Sequence, residues 1–348
     1  MLRNYIPFFY YPTKVLLVDD NPNYLKNVVL TLDKCINHET HIHPKALLRK
    51  ILSSNDVLDV GKKYFLSQDE GSVVGDVCRA VSVDIAKIYK EINNKGRFNQ
   101  ISVLLVDYAM PGMNGVEFCK ALQHLPCKKI MVTGEADYGI AVEAFNQNII
   151  DRFLVKDDPD FFEKINTIIF DLQNSYFKSL SESIIDTLSV DPHCCLTDPE
   201  FISFFYDLVK ENKIIEFYLL DKTGSFLMLD FQGKPSWLIV KSNKELVDFC
   251  DIASEFEDAN AIQNELAIRR KIPFFLTEKD WQVSVNHWQP YLHQAHRLEG
   301  KEIYYYALVE GNSVYDVALE NKVSYRDYLS SKGLRCQITP EIHSILEK

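Results

Sequence analysis

No stretch of this 348-residue chain is apolar for long enough to cross a bilayer. The opening MLRNYIPFFYY is aromatic, but Pro7 and Pro12 interrupt it before it reaches the length of a signal-peptide core. CxxC spacing is missing too. The eight cysteines, Cys35, Cys78, Cys119, Cys127, Cys194, Cys195, Cys250 and Cys336, are scattered, which points to reduced thiols in a cytoplasmic protein rather than a disulfide scaffold. Positive charge is scarce: 38 Lys and Arg against 49 Asp and Glu leave a formal charge of -11. That balance argues against a broad nucleic-acid surface and leaves only a local basic patch open. Low-complexity tracts are lacking, and 47% apolar with 25% charged residues is the composition of an ordered soluble chain. The length exceeds what one core usually organises, so two domains are expected.

What is present centres on VLLVDYAMPGMNGVEFCKAL, Val103 to Leu122. An apolar run ends abruptly in Asp107, and a turn of Pro111, Gly112, Asn114 and Gly115 leads into an amphipathic segment. An earlier run, Lys14 to Val18, ends in Asp19 and Asp20. Two parallel strands side by side would bring three carboxylates to one sheet edge, where ligands bind in open α/β sheets. Such like charge raises each carboxyl's pKa and calls for a cation, with hard, oxygen-seeking Mg²⁺ the expected partner.

Helical periodicity carries Leu25, Val28, Val29 and Leu32 after Pro22, and Leu47, Leu48, Ile51 and Leu52 after Pro44. The polar stretch Asn37 to His43 reads as a short strand. From about Ser53 to Gln100 two or three further amphipathic segments intervene, one with Val77, Val81, Ile85 and Ile88. Lys129 to Val132 then reads as a strand ending in Thr133, Gly139 to Asn146 as a helix, and Asp151 to Val155 as a strand ending in Lys156. Strands alternating with helices imply a doubly wound, parallel, five-stranded α/β sheet.

The set VLLVDD, LLVDYAMPGMNG, VTGEA and FLVK resembles the phosphoacceptor receiver domain of two-component response regulators, a flavodoxin-like fold. The resemblance implies Asp107 as the phosphoacceptor, Asp20 as a direct metal ligand, Asp19 acting through metal-bound water, and the Ala109 carbonyl as a backbone ligand. It further implies Thr133 as the switch hydroxyl, Lys156 as the phosphate partner and Phe153 as the aromatic that changes exposure on activation. Partners implied are a sensor histidine kinase or phosphotransfer protein, and no enzymatic activity beyond self-catalysed phosphoryl transfer and hydrolysis. Two departures stand out. Asp20 and Asp107 lie 87 residues apart, about twice the family's usual separation, and Lys156 is followed by Asp157 and Asp158 rather than proline.

From Asp160, Phe161, Ile165, Ile168, Ile169, Leu172, Tyr176, Leu180, Ile184 and Leu188 recur at threes and fours with no Gly or Pro before Pro192. A helix this long is expected to connect two domains or to pair with a second copy, with Ile168, Leu172 and Leu180 as candidate dimer positions. Beyond it, strand segments flanking the turn Asp221 to Gly224, another at Pro235 to Val240, a helical Lys244 to Ile268 and a late strand at Ile303 to Val309 imply an α+β domain. The expected organisation is a receiver over residues 1–159 with an insertion at about 53–100, a connecting helix over 160–190, and an α+β output domain over 191–348. His287, His293 and His296 read as part of a half-buried aromatic surface rather than a metal site. The aromatics Phe274, Phe275, Trp281, Trp288 and Tyr304 to Tyr306 would either fill a core or line a pocket.

The non-helix-turn-helix tail excludes the usual DNA-binding output. The whole-chain pattern is similar to response regulators of quorum sensing. Alternatives are a transcription regulator whose atypical output domain binds DNA, and an interaction scaffold with a silent receiver.

Overall fold

The computed structural model describes residues 5–53, 65–66, 82–134, 137–188, 195–256, 260–276, 280, 287–316, 319 and 322–334. The chain forms two compact units, each drawn from three segments. One comprises Tyr11–Lys63, Lys95–Glu182 and Tyr325–Lys348; the other comprises Met1–Tyr10, Tyr64–Asn94 and Ser183–Ser324.

The first unit is a parallel five-stranded sheet in the spatial order His38–His41, Lys14–Val18, Ile101–Asp107, Lys128–Thr133, Arg152–Val155. Its three inner strands are near-continuous apolar segments because both faces are covered, whereas the edge strand His38–His41 is polar, and along each strand successive side chains go to opposite faces. Leu16, Val18, Leu104, Val106 and Met131 enter one core with Leu47, Ile51, Phe118, Ala141 and Ala144 from the helices there. Val15, Leu17, Val103, Leu105, Ile130 and Val132 enter the other, with Leu25, Val28, Phe161, Ile165, Ile169 and Leu172. Each such fully buried side chain contributes up to about 1.5–3 kcal/mol. The two-core arrangement therefore fixes the register that lines up the strand ends.

Helix Phe161–Leu188 is 28 residues long. Leu172 and Leu180 are buried within the chain, and Ile168 packs partly against the second core. Ile165, Ile169 and Leu172 of this stripe pack into the core on one face of the receiver's own sheet. The side chains of Ile184 and Leu188 lie outside the described residues. Tyr176, on the same stripe, accepts from Gln100, whose carbonyl oxygen accepts from the Tyr11 hydroxyl.

The C-terminal helix Tyr325–Ser331 belongs to this unit as well. The Tyr325 hydroxyl donates to the Cys35 carbonyl at 2.6 Å, the Tyr328 hydroxyl donates to Asn99 Oδ1 at 2.9 Å and accepts from Asn37 Nδ2 at 3.1 Å, and both rings pack on Phe98. Cys35 is disulfide-bonded, which corrects the expectation of reduced thiols at that position. Its partner is outside the described residues, as are Cys78, Cys194 and Cys336. Nothing in the spacing of scattered cysteines reveals which of them folding brings together. Cys119, Cys127 and Cys250 are free thiols, and the Cys195 thiol donates to the Thr223 carbonyl at 2.8 Å.

The second unit is built on a six-stranded antiparallel sheet, Phe9–Tyr10, Ile214–Leu219, Phe226–Asp230, Pro235–Ser242, Ile303–Glu310 and His296–Glu299 in spatial order. The hairpin between the second and third of these strands turns at Asp221. Its carboxylate accepts from the backbone of Thr223, Gly224 and Ser225, from the Ser225 hydroxyl and from Lys241 Nζ at 3.0 Å. A buried lysine survives there because two carboxylates, Asp221 and Glu245, answer its charge. Helices Pro199–Glu211, Asn243–Ser254 and Asn260–Ala267 accompany the sheet.

Trp288, Phe249, Phe256 and Phe275 pack in a core with Leu266 and Leu292; Trp281 lies outside the described residues. The described parts of the inserted region include a short antiparallel pair, Phe65–Leu66 with Ser82–Val83, the helix Ile85–Tyr89 with Ile88 buried, and the single turns Lys90–Asn93 and Arg97–Asn99. Val77 and Val81 fall outside them. Among the described residues no helix is long and apolar enough to cross a membrane.

Candidate phosphoacceptor site

Strand register assembles the site. Val18 lies beside Val106, Asp107 beside Val132, and Thr133 beside Val155, so the residues that end neighbouring strands meet at one sheet edge. Asp19 and Asp107 are buried and Asp20 is exposed. One carboxylate oxygen from each of the three lies within 4.8 Å of the others, the arrangement a divalent cation requires.

The loops are shaped for this edge. Asn21 caps the first helix, accepting from the backbone of Asn23 and Tyr24, while Asp19 accepts from the Asn21 backbone at 2.8 Å. After Asp107, Gly112 adopts a φ of +75°, and Asn114 and Glu117 form a reciprocal capping box. A Cβ on Gly115 would stand 2.4 Å from the Asp107 carbonyl oxygen, so only glycine lets the helix start this close to the strand end. Ala109 is exposed in that turn, two residues past Asp107.

Lys156 supplies the missing positive charge. Its Nζ lies 2.8 Å from Asp19 Oδ2 and 2.9 Å from Asp107 Oδ1, and its backbone N–H donates to the Thr133 carbonyl at 2.8 Å. Burial pushes the Asp107 carboxyl above its ordinary range and the charges of Asp19 and Asp20 add to this, against the pull of Lys156. Burial alone would lower the Lys156 ammonium, but its bonds to Asp19 and Asp107 outweigh that and hold it above its usual value.

Thr133 is buried, its hydroxyl donating to the Gly134 carbonyl at 3.2 Å. Phe153 is partly buried, set edge-on to Tyr138 at 5.3 Å and to Phe145 at 6.3 Å between ring centroids. Asp107, Asp19, Asp20 and Lys156 are thus brought together at one edge. Thr133 ends the adjacent strand, and Phe153 sits one strand further out.

One residue escaped the sequence reading. Lys156 Nζ lies 4.3 Å above the centre of the Tyr24 ring. A tyrosine in the first turn after a pair of aspartates carries no distinguishing spacing, and helical periodicity alone assigns it to packing. Its phenol is pushed up by burial and by the charges of Asp19, Asp107 and Asp157, so it stays protonated.

The sequence profile of the response regulator receiver domain matches residues 77–167. The structure of the Legionella pneumophila response regulator LqsR is 36% identical, covering 94% of this chain and 96% of that one, with a TM-score of 0.77. This chain belongs to the response-regulator family. The profile match in this response regulator starts beyond Asp19 and Asp20, and the fold returns both to the site across the insertion. The adenylate cyclase from Rhodopirellula baltica is 18% identical over 50% of this chain and 95% of its own, at a TM-score of 0.31. The receiver domain of the Francisella response regulator 1452 is 16% identical over 47% and 98%, at 0.30. Scores that low carry no weight for fold or function. No curated protein matches the chain.

Proposed function

We propose that this response regulator takes a phosphoryl group on Asp107 from a phosphohistidine of a sensor histidine kinase or phosphotransfer protein. The observation that carries the reading is the Asp19, Asp20 and Asp107 cluster bridged by Lys156. An Asp107 carboxylate oxygen attacks phosphorus, the P–N bond to the donor imidazole breaks, and the electron pair leaves on that nitrogen. Transfer of this kind is almost entirely positioning and charge neutralisation, which a few fixed groups can supply.

The oxygen-only donor set suits a hard cation, so Asp19, Asp20 and Asp107, with the Ala109 carbonyl, would hold Mg²⁺. When bound, it neutralises charge on the phosphoryl oxygens. Lys156 then trades its Asp107 contact for a phosphoryl oxygen, and the Thr133 hydroxyl turns from Gly134 to donate to another. Loss of that local bond frees Phe153 and its neighbours Tyr138 and Phe145 to repack, which is how the site communicates outward.

The chain would signal through its α+β unit in a phosphorelay of the quorum-sensing type, in keeping with the relative from Legionella. A homodimer would use surfaces other than Leu172 and Leu180, which are spent inside one chain. With Mg²⁺ and acetyl phosphate the purified protein should gain one phosphoryl group by intact mass, and Asp107→Asn should gain none. Equal labelling of the two proteins would sink the assignment.

A further inference from the structure

We propose that Tyr24 is a positioning residue of the phosphoacceptor site, its ring serving as the shelf that holds the Lys156 ammonium against Asp19 and Asp107. The proposal rests on the phosphoacceptor reading given above. Lysine is a point charge on a flexible stem, with no fork to fix its direction. Among the described residues the charge meets Asp19 Oδ2 at 2.8 Å, Asp107 Oδ1 at 2.9 Å and the face of Tyr24 at 4.3 Å, well inside cation–π range.

The two carboxylates change roles during transfer. Asp107 becomes an acyl phosphate, and Asp19 would help to hold the cation. The ring is the contact that stays the same before and after. It is itself held: the Asn21 cap fixes the Tyr24 backbone, and the Phe161 ring packs tilted against it, 6.3 Å between centroids.

The Tyr24 hydroxyl is buried without a hydrogen-bond partner. A buried hydroxyl with no partner gains nothing from hydrogen bonding, so what the side chain contributes comes from its ring. Tyr24 also packs partly against the core beneath it, and a purely structural role must be told apart from positioning.

The test compares Tyr24→Phe, Tyr24→Leu and Lys156→Ala, with Tyr24→Leu also made in the Lys156→Ala background. With Mg²⁺ and acetyl phosphate, Tyr24→Phe should keep the wild-type labelling rate within about twofold, and Tyr24→Leu should lose about fivefold to thirtyfold, the range of a partly desolvated cation–π contact. In the Lys156→Ala background the leucine change should cost less than about twofold, because the two residues act as one unit. A second readout does not need phosphoryl transfer. In the full chain, the Lys156 Hε protons should be shifted upfield by the ring current, identified by their loss in Lys156→Ala, retained in Tyr24→Phe and returned to the ordinary lysine position in Tyr24→Leu. Equal cost of the leucine change in both backgrounds, a phenylalanine variant as slow as the leucine one, or a lysine signal indifferent to Tyr24→Leu would each overturn the proposal. A wild-type chain that takes no label would remove the phosphoacceptor reading instead, and the lysine signal would still decide whether Tyr24 holds Lys156.

Discussion

At Lys156 one ammonium answers two buried carboxylates, and this arrangement explains why residue types at strand ends were so informative. Asp19, Asp20, Asp107, Thr133 and Lys156 were legible because a charged or hydroxyl residue that interrupts an apolar strand leaves a sharp mark in sequence. Tyr24 was not, since an aromatic on a helix reads as packing and its partner lies 132 positions away. His293 shows the same limit in the other unit. The Tyr315 hydroxyl donates to the Phe274 carbonyl at 2.9 Å, so His293 Nε2, 2.7 Å from that hydroxyl, is the donor to it. Burial pulls the His293 pKa down to about 4. Above about pH 6.5 the ring is neutral folded and unfolded, whereas from there down to pH 4 only the unfolded chain takes the proton. The unit built on the antiparallel sheet should therefore lose stability as pH falls through that window, by up to about 3 kcal/mol. Urea denaturation between pH 7 and 4.5 should show a shallower slope in His293→Gln, and parallel slopes would count against the buried neutral ring.

Among the elements, the long helix Phe161–Leu188 was visible in its periodicity, but its use was not. A stripe of Ile165, Ile169 and Leu172 says that something covers it, and only the fold shows that the cover is the sheet of the same unit. Leu172→Glu should accordingly cost about 3 kcal/mol or more in stability through a buried charge and a lost core contact. Chemical denaturation checks this, and a variant as stable as wild type that merely changed in mass by light scattering would restore the dimer face. The central parallel strands Lys14–Val18, Ile101–Asp107 and Lys128–Thr133 were legible for the opposite reason: strands buried on both faces leave near-continuous apolar runs. Strand Phe9–Tyr10 was not, because two residues carry no period, and its identity depends on pairing with Tyr218 and Phe217.

At the scale of the whole molecule, reading the chain in order suggests consecutive blocks, while each compact unit gathers three separate segments. Such gathering depends on contacts between residues hundreds of positions apart, which local patterns do not encode. The Tyr328 hydroxyl, bonded to both Asn37 and Asn99 in the receiver unit, is one of those contacts. Tyr328→Phe should cost about 1–2 kcal/mol, and hydrogen exchange should quicken around residues 35–37 and 97–100 while the strands at 226–242 keep their protection. Faster exchange in those strands instead would place the contact's effect in the wrong unit. The central claim, that Asp107 is the residue that carries the phosphoryl group, is tested most directly by trapping it. Borohydride reduces an aspartyl phosphate to the alcohol, so after phosphodonor and Mg²⁺ treatment the peptide containing residue 107 should carry homoserine there in place of aspartate. Conversion at Asp19, at Asp20 or at any other aspartate, with Asp107 intact, would contradict the account.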